Sequence, residues 1–176
     1  ALFLIQRAQT DGPGSAVVAG LEGTRPLLVE IQALVSPTGY GVPRRMTAGV
    51  DYNRVALIAA VLEKRVGLNL GSQDLYVNVV GGVKLDEPAV DLAIACALAS
   101  SFRDVPVDPA LVCAGEIGLT GELRPVTGVE KRIKEAFKMG FSRFLTASQS
   151  AIPDQEQPGI ITADTLAGAL ELALKV

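Results

Sequence analysis

Apolar residues cluster at the start of the chain in two β-rich runs, Gly14 to Leu21 and Leu27 to Val35. The turn-forming segment Glu22-Gly23-Thr24-Arg25-Pro26 separates them, and Ser36-Pro37-Thr38-Gly39 closes the second, so the pattern predicts a β-hairpin. Beyond residue 50 the period changes. Asp51 is placed to cap a helix from about Tyr52 to Arg65, in which Val55, Ile58, Ala59, Leu62 and Val66 recur at helical spacing and Arg54, Lys64 and Arg65 fall off the stripe. A strand, Leu75 to Val80, ends at Gly81-Gly82. From Asp86 to Ala99 a helix is expected, with Asp86, Glu87, Pro88 and Asp91 in its first turn, where carboxylates and an early proline are tolerated. Its apolar and small residues on nearly all sides imply a central position.

Leu111 to Ala114 and the stretch through Leu123 read as strands around Gly115, Gly118 and Gly121. A helix follows from Val129 to Met139, stopped by Gly140, then a short strand at Phe144-Leu145, a loop from Pro153 to Gly159 and an amphipathic helix from Asp164 to Leu174. Alternating strands and helices argue for a mixed α/β (α+β) sheet with packed helices. The 176 residues, 49% hydrophobic, suit one domain spanning 1–176. The abrupt apolar start, Leu2-Phe3-Leu4-Ile5, is that expected of a piece cut from a longer protein.

Composition narrows the chemistry. With no histidine, Ser-His-Asp and Cys-His nucleophiles, His-ligated zinc and His general bases are excluded. Cys96 and Cys113 sit in apolar stretches and read as buried thiols in a reducing compartment. A net charge of -3, from 16 basic and 19 acidic residues, gives no global field toward nucleic acid or anionic lipid, so any such attraction is local. Apolar runs fall short of the ~18–20 residues of a membrane span, and a cytoplasmic location is expected. No phosphate-binding Gly-x-x-x-x-Gly-Lys-Ser/Thr loop occurs, so no nucleotide or other cofactor is expected within the chain.

Two blocks carry the most information. Gly81-Gly82-Val83-Lys84-Leu85-Asp86-Glu87-Pro88-Ala89-Val90-Asp91 resembles the glycine-rich turn and helix start that carries the nucleophilic serine in the proteolytic domain of Lon, and Gly115 through Arg132 resembles the segment that ends in that family's catalytic lysine. The resemblance implies the Lon proteolytic-domain-like (ribosomal protein S5 domain 2-like) fold. It also implies a Ser–Lys dyad, in which a lysine of lowered pKa takes the serine proton. Here the matching positions are Ala89, which has no nucleophile, and Arg132, whose guanidinium stays protonated. Lys131 lies ~100° away around the helix. Asp86, Glu87 and Asp91 are read as helix-start charges with no catalytic role.

Two further runs, Gly23 to Val35 and Pro43 to Arg54, are similar to stretches of the bacterial RadA (Sms) family, and nearly the whole chain resembles that family's C-terminal Lon-protease-like domain. The resemblance implies a parent protein with a zinc-binding region and a RecA-like, ATP- and Mg-dependent motor, both absent from this chain, acting in DNA repair, recombination and branch migration near the bacterial nucleoid. Implied partners are other copies of the chain in a hexameric ring, DNA through its phosphates, and recombination and repair proteins.

For DNA contact the candidates are Arg44, Arg45 and Arg54, around a loop and a helix start, with Lys84 and Arg124 flanking the two blocks. Solvated or subunit-contact charges are about as common a role for each. Lys131, Lys134 and Lys138 are read as a solvated helix face. Three functions stay open: a DNA-contacting ring module, a purely structural oligomerisation scaffold, and a Ser–Lys type peptidase using a displaced serine such as Ser72, Ser100 or Ser101.

Overall fold

The computed structural model describes residues 12–152 and 157–174. The opening apolar segment and residues 153–156 of the expected loop lie outside the described residues. The hairpin forms as the apolar pattern predicts: β1 (Ser15–Glu22) pairs antiparallel with β2 (Arg25–Pro37), in register from Ser15↔Gln32 to Glu22↔Arg25. Gly23 takes the first central turn position with φ +65°, a conformation open to glycine at little steric cost.

The remaining strands build outward from this pair. Their order across a seven-stranded sheet is β3 (Arg45–Ala48), β4 (Gln73–Val79), β2, β1, β5 (Leu111–Cys113), β8 (Arg143–Ala147), β9 (Ile160–Ala163). On one side β4 joins β2 antiparallel and β3 joins β4 parallel; on the other β1, β5, β8 and β9 run parallel. A separate two-stranded ribbon pairs β6 (Glu116–Ile117) with β7 (Leu123–Arg124).

Helices α1 (Tyr52–Val61), α2 (Asp91–Arg103) and α4 (Leu166–Ala173) cover one face of this sheet and α3 (Val129–Lys138) part of the other. Alternation along β1 divides the core accordingly. Ala16 and Val18 join the larger cluster with α2, whereas Val17 and Ala19 join the smaller one with Val129, Ile133 and Ala136 of α3. Burial on both faces explains why β1 reads as a continuous apolar run and not as an alternating one. The central position expected for α2 holds, since every residue from Asp91 to Ser100 is buried. Cys96 and Cys113 are buried thiols.

Several elements differ from the pattern-based expectation. The segment after Asp86 is not yet α-helix: a 3₁₀ turn, Pro88–Val90, precedes α2, which starts at Asp91 and runs on to Arg103. Asp86 and Glu87 therefore lie ahead of the helix and are not first-turn charges. Helix α1 is capped by the Asp51 side chain, which accepts from the Arg54 amide, but ends at Val61 and continues as a π-turn, Leu62–Val66. Strands β3 and β9 were not foreseen, because neither four-residue segment is long enough to show a period of two. Arg45 consequently lies in an edge strand and not in a loop.

Gly128 caps α3 with φ +68°, and a Cβ there would meet Leu21 at 2.9 Å. Gly128→Ala is expected to lower unfolding free energy by about 1–3 kcal/mol, the cost of a strained backbone, as read by chemical denaturation.

Candidate functional site

Three backbone-level hydrogen bonds bring the two Lon-like sequence blocks together. The Gly115 amide donates to Ala89 O (3.0 Å), the Leu92 amide to Gly115 O (3.0 Å) and the Ile117 amide to Asp91 Oδ2 (3.1 Å). The start of α2 is thus laced to the segment leading into β6. Ala89 is 1% exposed and belongs to the same cluster as Val129 and Ile133.

Arg132 is fully buried, and each nitrogen of its guanidinium donates a hydrogen bond. Nε donates to Thr127 O (2.9 Å), Nη1 to Ala19 O (2.7 Å) and Nη2 to Glu87 Oε1 (2.7 Å). The second Glu87 oxygen accepts the Leu21 amide at 2.6 Å. A buried charge is tolerated where it is paired and hydrogen-bonded, and Arg132 is paired with Glu87 and donates from all three nitrogens of its guanidinium. Lys131, the next residue, faces out and reaches Thr24 O at 3.4 Å.

A second ion pair secures the block from the other side. Asp91, with no exposure, takes a forked contact from Arg54, with Nε at 3.1 Å from Oδ1 and Nη2 on Oδ2. Loss of solvent pushes the Asp91 carboxyl above its usual range, against the opposing pull of Arg54 and the Ile117 amide. Arg54, one of the candidate DNA contacts, is therefore bound to a core carboxylate. Arg124 is engaged too: it pairs with Glu122 at 2.9 Å and reaches Glu116 at 4.0 Å. The Thr120 hydroxyl, ahead of Arg124, holds Glu122 down to about 2.

The five candidate contacts fall at three places. Arg54 and Arg124 line one cleft of about 270 Å³ between α1 and the β6–β7 ribbon. Lys84 is exposed beside Glu22, Asp86 and Glu87 in a second. Arg44 and Arg45 stand at the β3 edge, where the Arg45 guanidinium contacts the carbonyls of Gln73 and Leu70 and Arg44 is exposed. Of the alternative serines, Ser100 donates to Val105 O and Ser101 accepts the Val35 amide, so both tie backbone segments together.

The role of Glu87 escaped the sequence reading. One signal was present for its partner: Val129, Arg132, Ile133 and Ala136 share one helical stripe, which puts an arginine on the buried side of α3. Nothing in the chain pattern names the carboxylate that meets it.

With this geometry in view, comparison with known proteins is informative. Residues 48–150 match the family described as ChlI, subunit ChlI of Mg-chelatase, and the chain belongs to that family. Among curated proteins it is similar to one named DNA repair protein RadA from Bacillus subtilis (strain 168), 60% identical over 144 residues, covering 82% of this chain and 31% of the relative. Proteins of the same name from Halalkalibacterium halodurans and Listeria monocytogenes are 54% and 52% identical, each covering 98% of this chain and 38% of the relative. The chain spans about a third of the length of the curated relatives it matches. Among the described residues, no helix is long and apolar enough to cross a membrane.

Removing one member of either pair strands a buried charge. Arg132→Met is expected to cost about 3–5 kcal/mol. Arg54→Ala is expected to cost about 3 kcal/mol, the lower end because Arg54 is itself one-third exposed, with part of the loss recovered in Arg54→Ala/Asp91→Asn. The Asp91 carboxyl titrates higher folded than unfolded. Its contribution to stability is therefore full below the ordinary carboxylate range and is lost as pH rises through it. That fall is expected to steepen in Arg54→Ala and vanish in Asp91→Asn, as read by urea midpoints from pH 3 to 8.

Proposed function

We propose that this chain is the non-proteolytic, Lon-like module of a RadA-type bacterial DNA repair protein, contributing ring assembly and sequence-independent DNA contact to an ATP-driven parent. The observation that carries the reading is its similarity, over 98% of its length, to bacterial proteins named DNA repair protein RadA. Lon-like here means the proteolytic-domain fold with its dyad replaced. The side chains at the two matching positions support that: Ala89 is a buried methyl group and Arg132 a buried guanidinium paired with Glu87.

In this reading the motor, with its ATP and Mg, and the zinc-binding region belong to other parts of the parent, and the work of the assembly is branch migration of recombination intermediates in the bacterial cytoplasm, alongside recombinase and repair proteins. The assembled form is a hexamer. Phosphate contact falls chiefly to Arg44, Arg45 and Lys84, for which no ion pair with a carboxylate is found among the described residues. Arg54 and Arg124 add less, because each already answers a carboxylate. Six copies in a ring multiply a weak patch, since affinity follows the number of phosphates neutralised together.

The test is fluorescence anisotropy with labelled DNA across a salt series, with mass measured in parallel by light scattering. Affinity is expected to fall steeply with salt, and in Arg44→Ala/Arg45→Ala/Lys84→Ala the slope of log K against log salt is expected to flatten by about 0.7–0.9 per lost contact with the mass unchanged. A hexamer that binds no DNA at low salt would leave a structural scaffold; peptide cleavage lost on replacing a serine would restore the peptidase reading.

A further inference from the structure

Helix α3 covers only part of its face of the sheet. Beyond it, β2, β4 and β3 present an open surface on which two cross-strand rows lie side by side. Leu34, Tyr76 and Met46 form one, through the registers Leu34↔Tyr76 and Met46↔Tyr76; Gln32, Asn78 and Ala48 form the other. These residues line a cleft of about 520 Å³. Leu34 and Met46 are 58% and 57% exposed there. At the end of this surface where β2 leaves and β3 enters, the loop 38–44 projects with Tyr40 99% exposed and Val42 84% exposed.

The base of that loop is fastened. Asp74 accepts both the Thr38 hydroxyl (2.9 Å) and the Arg44 amide (2.8 Å), and the Thr38 amide donates to Ser72 O (3.0 Å). The Arg44 amide is the main reason the Asp74 carboxyl sits below its usual range. One carboxylate thus closes the loop. Between Glu30 and Asp51 the chain carries no acidic residue, while Arg44 and Arg45 are both present. Glu30, behind the far row, is buried and accepts from Ser15 and Gln32. Arg44 is thus exposed with no ion pair to a carboxylate among the described residues, and the Tyr40 ring and the amide side chains of Gln32 and Asn78 are exposed on the same surface, with Tyr76 half-buried between the strands.

A duplex offers phosphates but keeps its bases stacked, so it has no use for an exposed ring. A single strand offers both: unpaired bases stack on aromatic side chains and hydrogen-bond to amides while arginines follow the backbone. We propose that the open face of β2, β4 and β3 with the loop 38–44 binds the unpaired bases of single-stranded DNA, Tyr40 and Tyr76 serving as stacking surfaces, Gln32 and Asn78 as hydrogen-bonding groups and Arg44 as a phosphate contact. The inference rests on the DNA-contacting reading above and assigns that contact to one surface and one form of DNA.

The test compares a fluorescein-labelled oligothymidylate with a duplex of matching length, using wild type, Tyr40→Ala and Tyr40→Phe. The expected result is a loss of roughly 5- to 150-fold in oligothymidylate affinity for Tyr40→Ala, the range for one lost base stack. Restoration by Tyr40→Phe is expected, with little change toward duplex and no change in melting temperature, because the ring touches little in the folded chain. Unchanged oligothymidylate binding in Tyr40→Ala, or an equal loss toward duplex, would overturn this inference while leaving salt-dependent DNA contact standing. Absence of any DNA binding by wild type at low salt would overturn both. A change of mass in Tyr40→Ala without a change in DNA affinity would make the loop a contact between copies and overturn the assignment.

Discussion

A carboxylate with no access to water has to be answered by its surroundings, and Asp91 is such a group at the first turn of the most buried helix in the fold. Its two oxygens are met by Arg54 from α1 and by the Ile117 amide from β6, so a single charge ties together three segments that are remote in the chain. Around it the Ala89, Leu92 and Gly115 backbones interlock. The registration of α2 against the sheet, and with it the approach of α3 to the other side, follows from this arrangement. Hydrophobic burial alone is non-directional and would allow α2, apolar on nearly every side, to rotate or slide; the ion pair and its hydrogen bonds specify one setting.

The Arg132–Glu87 pair does for α3 what Arg54–Asp91 does for α2. Both place a cation from a helix against a carboxylate near the 3₁₀ turn Pro88–Val90, one on each side of the sheet. The region around the 3₁₀ turn is a structural joint. The buried guanidinium adds rigidity, because each of its three nitrogens donates to a main-chain oxygen or a carboxylate. Surface outside the joint is then where contact with other molecules is to be sought, and the open face of β2, β4 and β3 is its most exposed apolar part.

Much of the framework was legible from periodicity. The hairpin, the Asp51 cap, the stripe of α1, the enclosed character of α2 and the glycine stop after α3 all follow from residues close together in the chain, where local sterics and capping act. Short elements were not legible: β3 and β9 exist because neighbouring strands supply their hydrogen-bond partners, not because four residues carry a strand signal. For the candidate site, the burial of Arg132 could be read from its place on the apolar stripe of α3. The engagement of Arg54 and Arg124 with carboxylates and of Arg45 with main-chain carbonyls could not, so three of the five arginines and lysines first considered for DNA contact have a structural occupation as well.

By itself the sequence determined which chemistry is available, with no histidine anywhere in the chain, and an apolar pattern sufficient for a layered α/β sheet. Tertiary structure decided which charges are spent and which remain available. Glu87 meets Arg132 across 45 residues and Asp91 meets Arg54 across 37, and Asp74 closes a loop by reaching Thr38 across 36. Periodicity and capping report forces within a few residues of chain, whereas pairing of buried charges depends on where the sheet carries distant segments, and that is set only once the whole core has packed.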